Sequence, residues 1–185
     1  MKLVVAATGA SGAIYTQRLL DNLDASQHEV HFISTRHARE VQTLELPGGL
    51  KIPSNVKPYE ENGSMFVPFV SGSAQFDAMV IIPASMGTIG RIANGVSDTT
   101  IARAADVFLK ERRKLIVVPR ESPYNLIHLR NMATLSEAGA LIIPASPSFY
   151  AKPKTISDLT DTIVARVLDH LGVAHTLAKR WQTAN

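Results

Sequence analysis

Three apolar runs in this chain end alike, in a proline followed by small or charged polar residues. Residues 78–85 read AMVIIPAS, residues 114–122 read KLIVVPRES and residues 140–148 read ALIIPASPS. The first run, residues 2–11, is KLVVAATGAS. Short continuous stretches rich in β-branched residues fit strands buried on both faces. Proline has no N–H to give a central ladder, so each strand is expected to stop there, its polar residues just past its carboxyl end. In open α/β sheets that edge is where ligands bind. The pattern therefore brings 8–11, 85–88, 120–121 and 146–150 to one rim. Strand-end prolines also occur as plain stops, but four polar clusters at equivalent points favour a site.

Between these runs the pattern alternates. Strands are expected at 2–8, 29–34, 79–82, 115–118 and 140–143. Helices are expected at about 12–23, 36–45, 125–138 and 156–171, with helical segments across 86–113. Residues 46–70, rich in Pro, Gly and Asn, read as an irregular excursion with little regular structure. Alternating strands and helices imply a parallel sheet with right-handed crossovers. The last helix is the best signalled. Thr155 and Asp158 have capping-box spacing, and Ile156, Leu159, Ile163, Val167 and Leu171 recur at helical spacing. Gly172 can end it in the left-handed region. Val164 and Leu168 widen its apolar face, which suits core packing or a subunit contact.

A length of 185 residues suits one domain. No apolar run approaches the roughly 20 residues that span a bilayer. The N-terminus turns polar too early for a signal peptide, so a cytoplasmic protein is expected, with no membrane partner. The chain has no cysteine, which excludes disulfides, thiolate nucleophiles and Cys-ligated metals. The net charge of +3 is modest, and its basic clusters at 110–114 and 152–154 lack interleaved aromatics. That suits phosphate-bearing small molecules or a solvated face, and no nucleic-acid partner is expected. The six histidines show neither HxH nor HxxxH spacing. No metal site is expected, and each histidine reads as surface or capping.

At the strand ends, TGASGA (8–13) joins the first strand to the first helix. Its glycines permit a tight turn, and the helix N-terminus offers free N–H groups to an anion. The spacing of Gly9 and Gly12 departs from the dinucleotide fingerprint, and no Walker lysine follows. A mononucleotide phosphate fits, as does a plain tight turn. Ser85, Met86, Gly87 and Thr88 repeat the arrangement, and Ser34 and Thr35 end the second strand. Arg120 and Glu121 follow the fourth strand, as a tuned acid/base or as an ion pair holding the loop. Lys110, Arg103 and Arg166 are candidate cations for a second phosphate.

Together these residues resemble the UbiX-type flavin prenyltransferases over nearly the whole chain. The matching blocks are GASGA (9–13), SGS (71–73), PASMGT (83–88), ARAADVFLKERR (102–113), VPRESPYNLIHLRNM (118–132), PASPSFYAKP (144–153), DLTDTIVARVLDHLG (158–172) and RW (180–181). The resemblance implies a single-domain, flavodoxin-like (Rossmann-like) α/β fold with helices on both faces of a parallel sheet. It implies assembly as a dodecamer, with the C-terminal helix and tail against neighbouring subunits. It implies that reduced FMN is the acceptor of a dimethylallyl group from dimethylallyl phosphate, at N5 and then C6, without a metal. The product, prenylated FMN, serves a UbiD-type decarboxylase.

By position, the resemblance assigns flavin contacts to Gly9, Ala10, Ser11, Ser34, Ser85, Met86, Gly87, Thr88 and Arg120. It assigns the allylic phosphate to Lys110, Arg120, Tyr150 and Arg166, with Arg103 in the same block, and places Trp181 near the prenyl group. It places Ser11 near N5 and matches Glu45 and Glu121 to active-site carboxylates; on that basis Ser11, Glu45 and Glu121 are the catalytic candidates, and Glu121 with Ser11 is expected to relay the proton lost at N5, the phosphate sharing the later base role. Cationic side chains suit a departing phosphate, and aromatic faces suit an allyl cation. The chain departs from the family pattern at Ser64 and Met65, where Asp and Trp are common, and at Ser148 and Ala151. These positions bear on the choice between monophosphate and diphosphate donors. Two other readings compete. A flavin-dependent cysteine decarboxylase would need a histidine near the SGS, and residues 70–74 have none. A non-catalytic flavin-binding accessory subunit would not need a second phosphate site.

Overall fold

The computed structural model describes residues 1–23 and 27–177. Six strands form one parallel sheet: β1 (Lys2–Ala7), β2 (Glu29–Ser34), β3 (Lys57–Glu60), β4 (Ala78–Ala84), β5 (Lys114–Pro119) and β6 (Leu141–Ile142), in the order β3-β2-β1-β4-β5-β6. Six α-helices cover it: α1 (Ala13–Asp21), α2 (Arg36–Glu45), α3 (Met86–Ala93), α4 (Thr100–Lys110), α5 (Leu126–Glu137) and α6 (Ile156–Leu171). With the short edge strand β3 set aside, the order is flavodoxin-like, and the order in which strands are added reverses between β1 and β4.

The apolar runs alternate between two cores, as period-2 geometry requires. Leu3, Val5, Val80, Ile82, Ile116 and Val118 face one core with α1 and α6. Val4, Ala6, Met79, Ile81, Leu115 and Val117 face the other with α3 and α4. On the first side, Arg18 of α1 grips Asp161 of α6 through two 2.7 Å hydrogen bonds, Nε to Oδ1 and Nη2 to Oδ2. The Asp161 side chain is only 9% exposed, so its oxygens rely on this fork rather than on water for hydrogen bonds. Asp161→Ala is expected to lower unfolding free energy by about 2 kcal/mol. A urea midpoint matching the parent's would show that the pair carries no net stability.

The capping box of Thr155 and Asp158 forms as expected, and Gly172 ends α6 at φ 77°. Three expectations need correction. Residues 46–70 are not merely irregular: they contain β3, which adds an edge strand to β2, and a 3₁₀ turn at Pro68–Val70. Pro58 sits at the sheet edge, the place where a strand tolerates a missing N–H. Aromatic packing fastens this segment: Tyr59 stacks on His31 at 5.4 Å, and Phe69 and Phe76 meet His31 edge-on. His31 is consequently not a surface residue. It is 2% exposed, and burial pushes its imidazole below the ordinary value despite the hydrogen bond to Glu29. His175 is also buried, against Asp169, whereas His128 does cap α5. Finally, β4 does not stop at Pro83. It continues to Ala84 through a register shift between Ile81 and Ala84. Hydroxyls satisfy the displaced carbonyls: Thr16 donates to Ile82 O at 2.6 Å and Thr8 to Pro83 O at 3.0 Å.

Candidate active site

Helices α2 to α6 each begin on a side-chain cap: Thr35, Ser85, Thr99, Asn125 and Thr155. Helix α1 begins on Gly12 at φ 110°, which has no side chain to accept from the first amides. Glu45, the last residue of α2, supplies the acceptor. Its Oε2 takes the N–H groups of Gly12 and Ala13, each at 2.8 Å. The expected free anion site at the start of α1 is therefore occupied by the protein's own carboxylate. Burial raises the Glu45 carboxyl, but the Ser11 hydroxyl, the amides of Ala13 and Gly12 and the charge of Arg120 outweigh it and leave it below its ordinary value.

Beside this turn opens a cleft of ≈ 410 Å³ at the carboxyl ends of β1, β2 and β4. That volume lies within the roughly 300–1,000 Å³ of small-molecule sites. Gly9 forms one wall, where a Cβ would stand 2.7 Å from His37 Cβ, so only glycine permits this approach of the β1 turn to α2. The start of α3 forms another, through Ser85, Gly87 and Thr88. Ser85 Oγ and Thr88 Oγ1 lie 3.2 Å apart. Ser34 is buried at the end of β2, and Thr35 lines the cleft beside it. Ala10 and Met86 are buried behind the two turns.

Arg120 follows β5 directly, its backbone N–H donating to Ala84 O at 3.2 Å. Its charge acts on Glu45 and on Tyr15, whose phenol burial raises and Arg120 lowers, with burial prevailing. Ser11 is thus hydrogen-bonded to Glu45, and the charge of Arg120 reaches that carboxylate, although none of the three is among the residues that line the cleft. Glu121 accepts from its neighbour Ser122 N–H at 2.9 Å. Tyr150 is exposed beyond β6.

Lys110 and Arg166 are not brought to this rim, whereas Arg103 stands in the first turn of α4, whose start lines the cleft. Lys110 ends α4, at the sheet edge where β5 begins, and pairs with Glu111. Arg166 lies in the last half of α6, paired with Asp169 and lining a cavity with His170, whose carbonyl accepts from Lys114 at the start of β5. Arg103 pairs with Asp106 at 2.9 Å. Trp181 lies outside the described residues. Among the described residues no cluster of three potential metal ligands occurs, and no helix is long and apolar enough to cross a membrane.

Several cleft residues escape a reading of the sequence: His37, Arg36, Arg91, Thr99 and Glu61. Glu61 closes one side by capping α4, its carboxylate accepting from Thr100 N at 2.9 Å and Ile101 N at 2.7 Å. Its only sequence signal is an acidic residue before Asn62-Gly63, inside the excursion. Thr99 could have been found as a hydroxyl preceding a helical run.

A family model described as Flavoprotein matches residues 1–168. A flavin prenyltransferase UbiX of Methanocaldococcus jannaschii is 48% identical over 184 residues, 99% of this chain and 100% of that one. A crystal structure of a dodecameric FMN-dependent UbiX-like decarboxylase from Escherichia coli O157:H7 superposes with a TM-score of 0.91 at 39% identity, covering 98% of this chain and 100% of that one. AnUbiX in complex with FMN and dimethylallyl pyrophosphate gives a TM-score of 0.91 at 38% identity, covering 100% and 98%. With its apolar strand runs, its two small-residue turns and its rim of hydroxyls, the chain belongs to the UbiX flavin prenyltransferase family.

Proposed function

We propose that this protein transfers a dimethylallyl group from dimethylallyl phosphate to N5 and C6 of reduced FMN, making prenylated FMN for a UbiD-type decarboxylase. The observation that carries the reading is the Ser11 hydroxyl hydrogen-bonded to the Glu45 carboxylate within reach of the Arg120 charge, in the turn that follows the Gly9 wall of the cleft. It places a hydroxyl–carboxylate pair able to take a proton beside a cation able to hold a leaving phosphate. Reduced FMN supplies the nucleophilic nitrogen and ring carbon. The chain's own residues do the rest without a metal. Gly9, Ala10, Ser34, Ser85, Met86, Gly87 and Thr88 shape the flavin-facing walls. Ser11 hands the N5 proton toward Glu45, with which it shares a hydrogen bond, and Glu121 serves further out. Arg120 and Tyr150 receive the allylic phosphate.

Lys110, Arg103, Arg166 and Trp181 belong to the same donor site, contributed by neighbouring copies in a dodecamer. The opposite-edge location of Lys110 and Arg166 supports this, as does the dodecameric Escherichia coli neighbour. Helix α5 agrees, since Leu126, Ile127 and Leu129 stand exposed on it. In the assembly the C-terminal helix of this single domain contacts adjoining subunits, and the enzyme works in the cytoplasm. The test is anaerobic incubation with reduced FMN and dimethylallyl phosphate or pyrophosphate, followed by mass analysis of the extracted flavin. A flavin heavier by one C5 prenyl unit is expected. Unmodified flavin with both donors would overturn the reading.

A further inference from the structure

We propose that Thr8, buried behind the cleft, is a positioning residue that fixes the spacing of the two flavin-facing turns before FMN arrives. This rests on the flavin reading above. The β1–β4 ladder runs in register from Leu3↔Ala78 to Ala6↔Ile81 and then ends. Beyond it Pro83 has no N–H to donate, and β4 is shifted between Ile81 and Ala84. At this gap a hydroxyl takes over from the peptide backbone. Thr8 Oγ1 donates to Pro83 O at 3.0 Å and accepts from Ser85 N–H at 2.7 Å, while the Thr8 N–H also donates to Pro83 O at 3.1 Å. One side chain, acting as donor and acceptor at once, thereby ties the end of β1 to the first residue of the α3 cap.

Thr8 is 1% exposed, so it acts through its neighbours and not on a ligand. Those neighbours are the cleft walls. Gly9 follows it in the chain, and Ser85, whose amide it holds, caps α3 and lines the cleft with Gly87 and Thr88. Valine has the shape of threonine without the hydroxyl. Thr8→Val leaves the Ser85 N–H without its acceptor, and that amide must turn to another partner. The wall built on Ser85 then moves relative to Gly9, and bound FMN has to restore the spacing at the expense of affinity.

The experiment titrates FMN into folded full-length parent, Thr8→Val and Thr8→Ser, with flavin fluorescence as the readout and circular dichroism confirming the fold. Thr8→Val is expected to raise the FMN dissociation constant about tenfold, a difference of about 1.4 kcal/mol. Thr8→Ser, which keeps the hydroxyl, is expected to stay within about threefold of the parent. Equal affinity in Thr8→Val, or a Thr8→Ser as weak as Thr8→Val, overturns the role. Should Thr8→Val not fold, amide exchange in the flavin-free parent decides. A slowly exchanging Ser85 N–H supports a preformed turn, and exchange at the free-peptide rate overturns it. A parent that binds no FMN overturns the flavin reading and this role together, whereas FMN binding unaffected by Thr8→Val overturns the role alone.

Discussion

Arg120→Ala is expected to slow prenyl transfer about 10²-fold or more at saturating flavin and donor. Among the described residues no carboxylate lies within ion-pair distance of Arg120, whereas Arg103, Lys110 and Arg166 are each paired within their own helix or turn. Its charge is felt at Glu45 and Tyr15, and its backbone is fixed to Ala84, one residue before the α3 cap. A cation held there without a partner is available to the phosphate that departs as the allylic C–O bond breaks. Negative charge grows on that group in the transition state, so the loss should fall on kcat more than on KM. Arg120→Lys keeps the charge but loses the planar fork, and should lie between parent and alanine variant. Anaerobic single-turnover kinetics with mass detection of the flavin would read both. An alanine variant with parental kcat would remove Arg120 from the donor site.

What the sequence reveals here depends on how local the physics is. The strands β1, β4 and β5 declare themselves because each is a continuous apolar run, and α6 does so because cap, period and stop lie within 17 residues of one another. The edge strand β3 does not, since KPYE is mostly solvent-facing and carries a proline. Its stability comes from Tyr59 packing on His31 and Phe69, contacts with residues outside the strand itself. For the same reason a histidine in EVHFIS looks like a surface residue until the aromatic cluster is assembled around it. Pro83 illustrates the reverse error. A local rule stops the strand there, but hydroxyls of Thr8 and Thr16, remote in sequence, satisfy the dislocated carbonyls and let it continue. The rim itself is legible from strand-end chemistry. Which carboxylate faces Ser11 is not, because Glu45 arrives from the far end of another helix. Lys110 and Arg166 stand out in the sequence as candidate phosphate cations, but only likeness to a family joins them to this rim, because one copy of the chain does not.

Glu45→Gln is expected to separate two duties of one carboxylate. The first is structural. Oε2 satisfies two amides that Gly12 leaves orphaned, and a glutamine oxygen can still accept, without the negative charge that favours a helix N-terminus. The stability cost of Glu45→Gln should be about 1 kcal/mol, and that of Glu45→Ala, which abandons the cap, about 2 kcal/mol. The sign of the pH effect follows from the lowered carboxyl. Stabilisation by Glu45 is fully present above its ordinary value of 4.5 and is lost as pH falls through the lower folded-state value. The stability gap between parent and Glu45→Gln should therefore close on acidification, as read by urea unfolding at stepped pH. A gap independent of pH would show that charge plays no part in the cap. The second duty is chemical. At neutral pH the ionised Glu45 accepts the Ser11 hydroxyl, so Ser11 can take up a proton from N5 only as its own moves toward Glu45. Glutamine cannot receive that proton, and transfer should fall about 10²-fold even under conditions where the variant is fully folded. Parental turnover in folded Glu45→Gln would leave Glu45 as a helix cap alone and return the proton to Glu121 or to the departing phosphate.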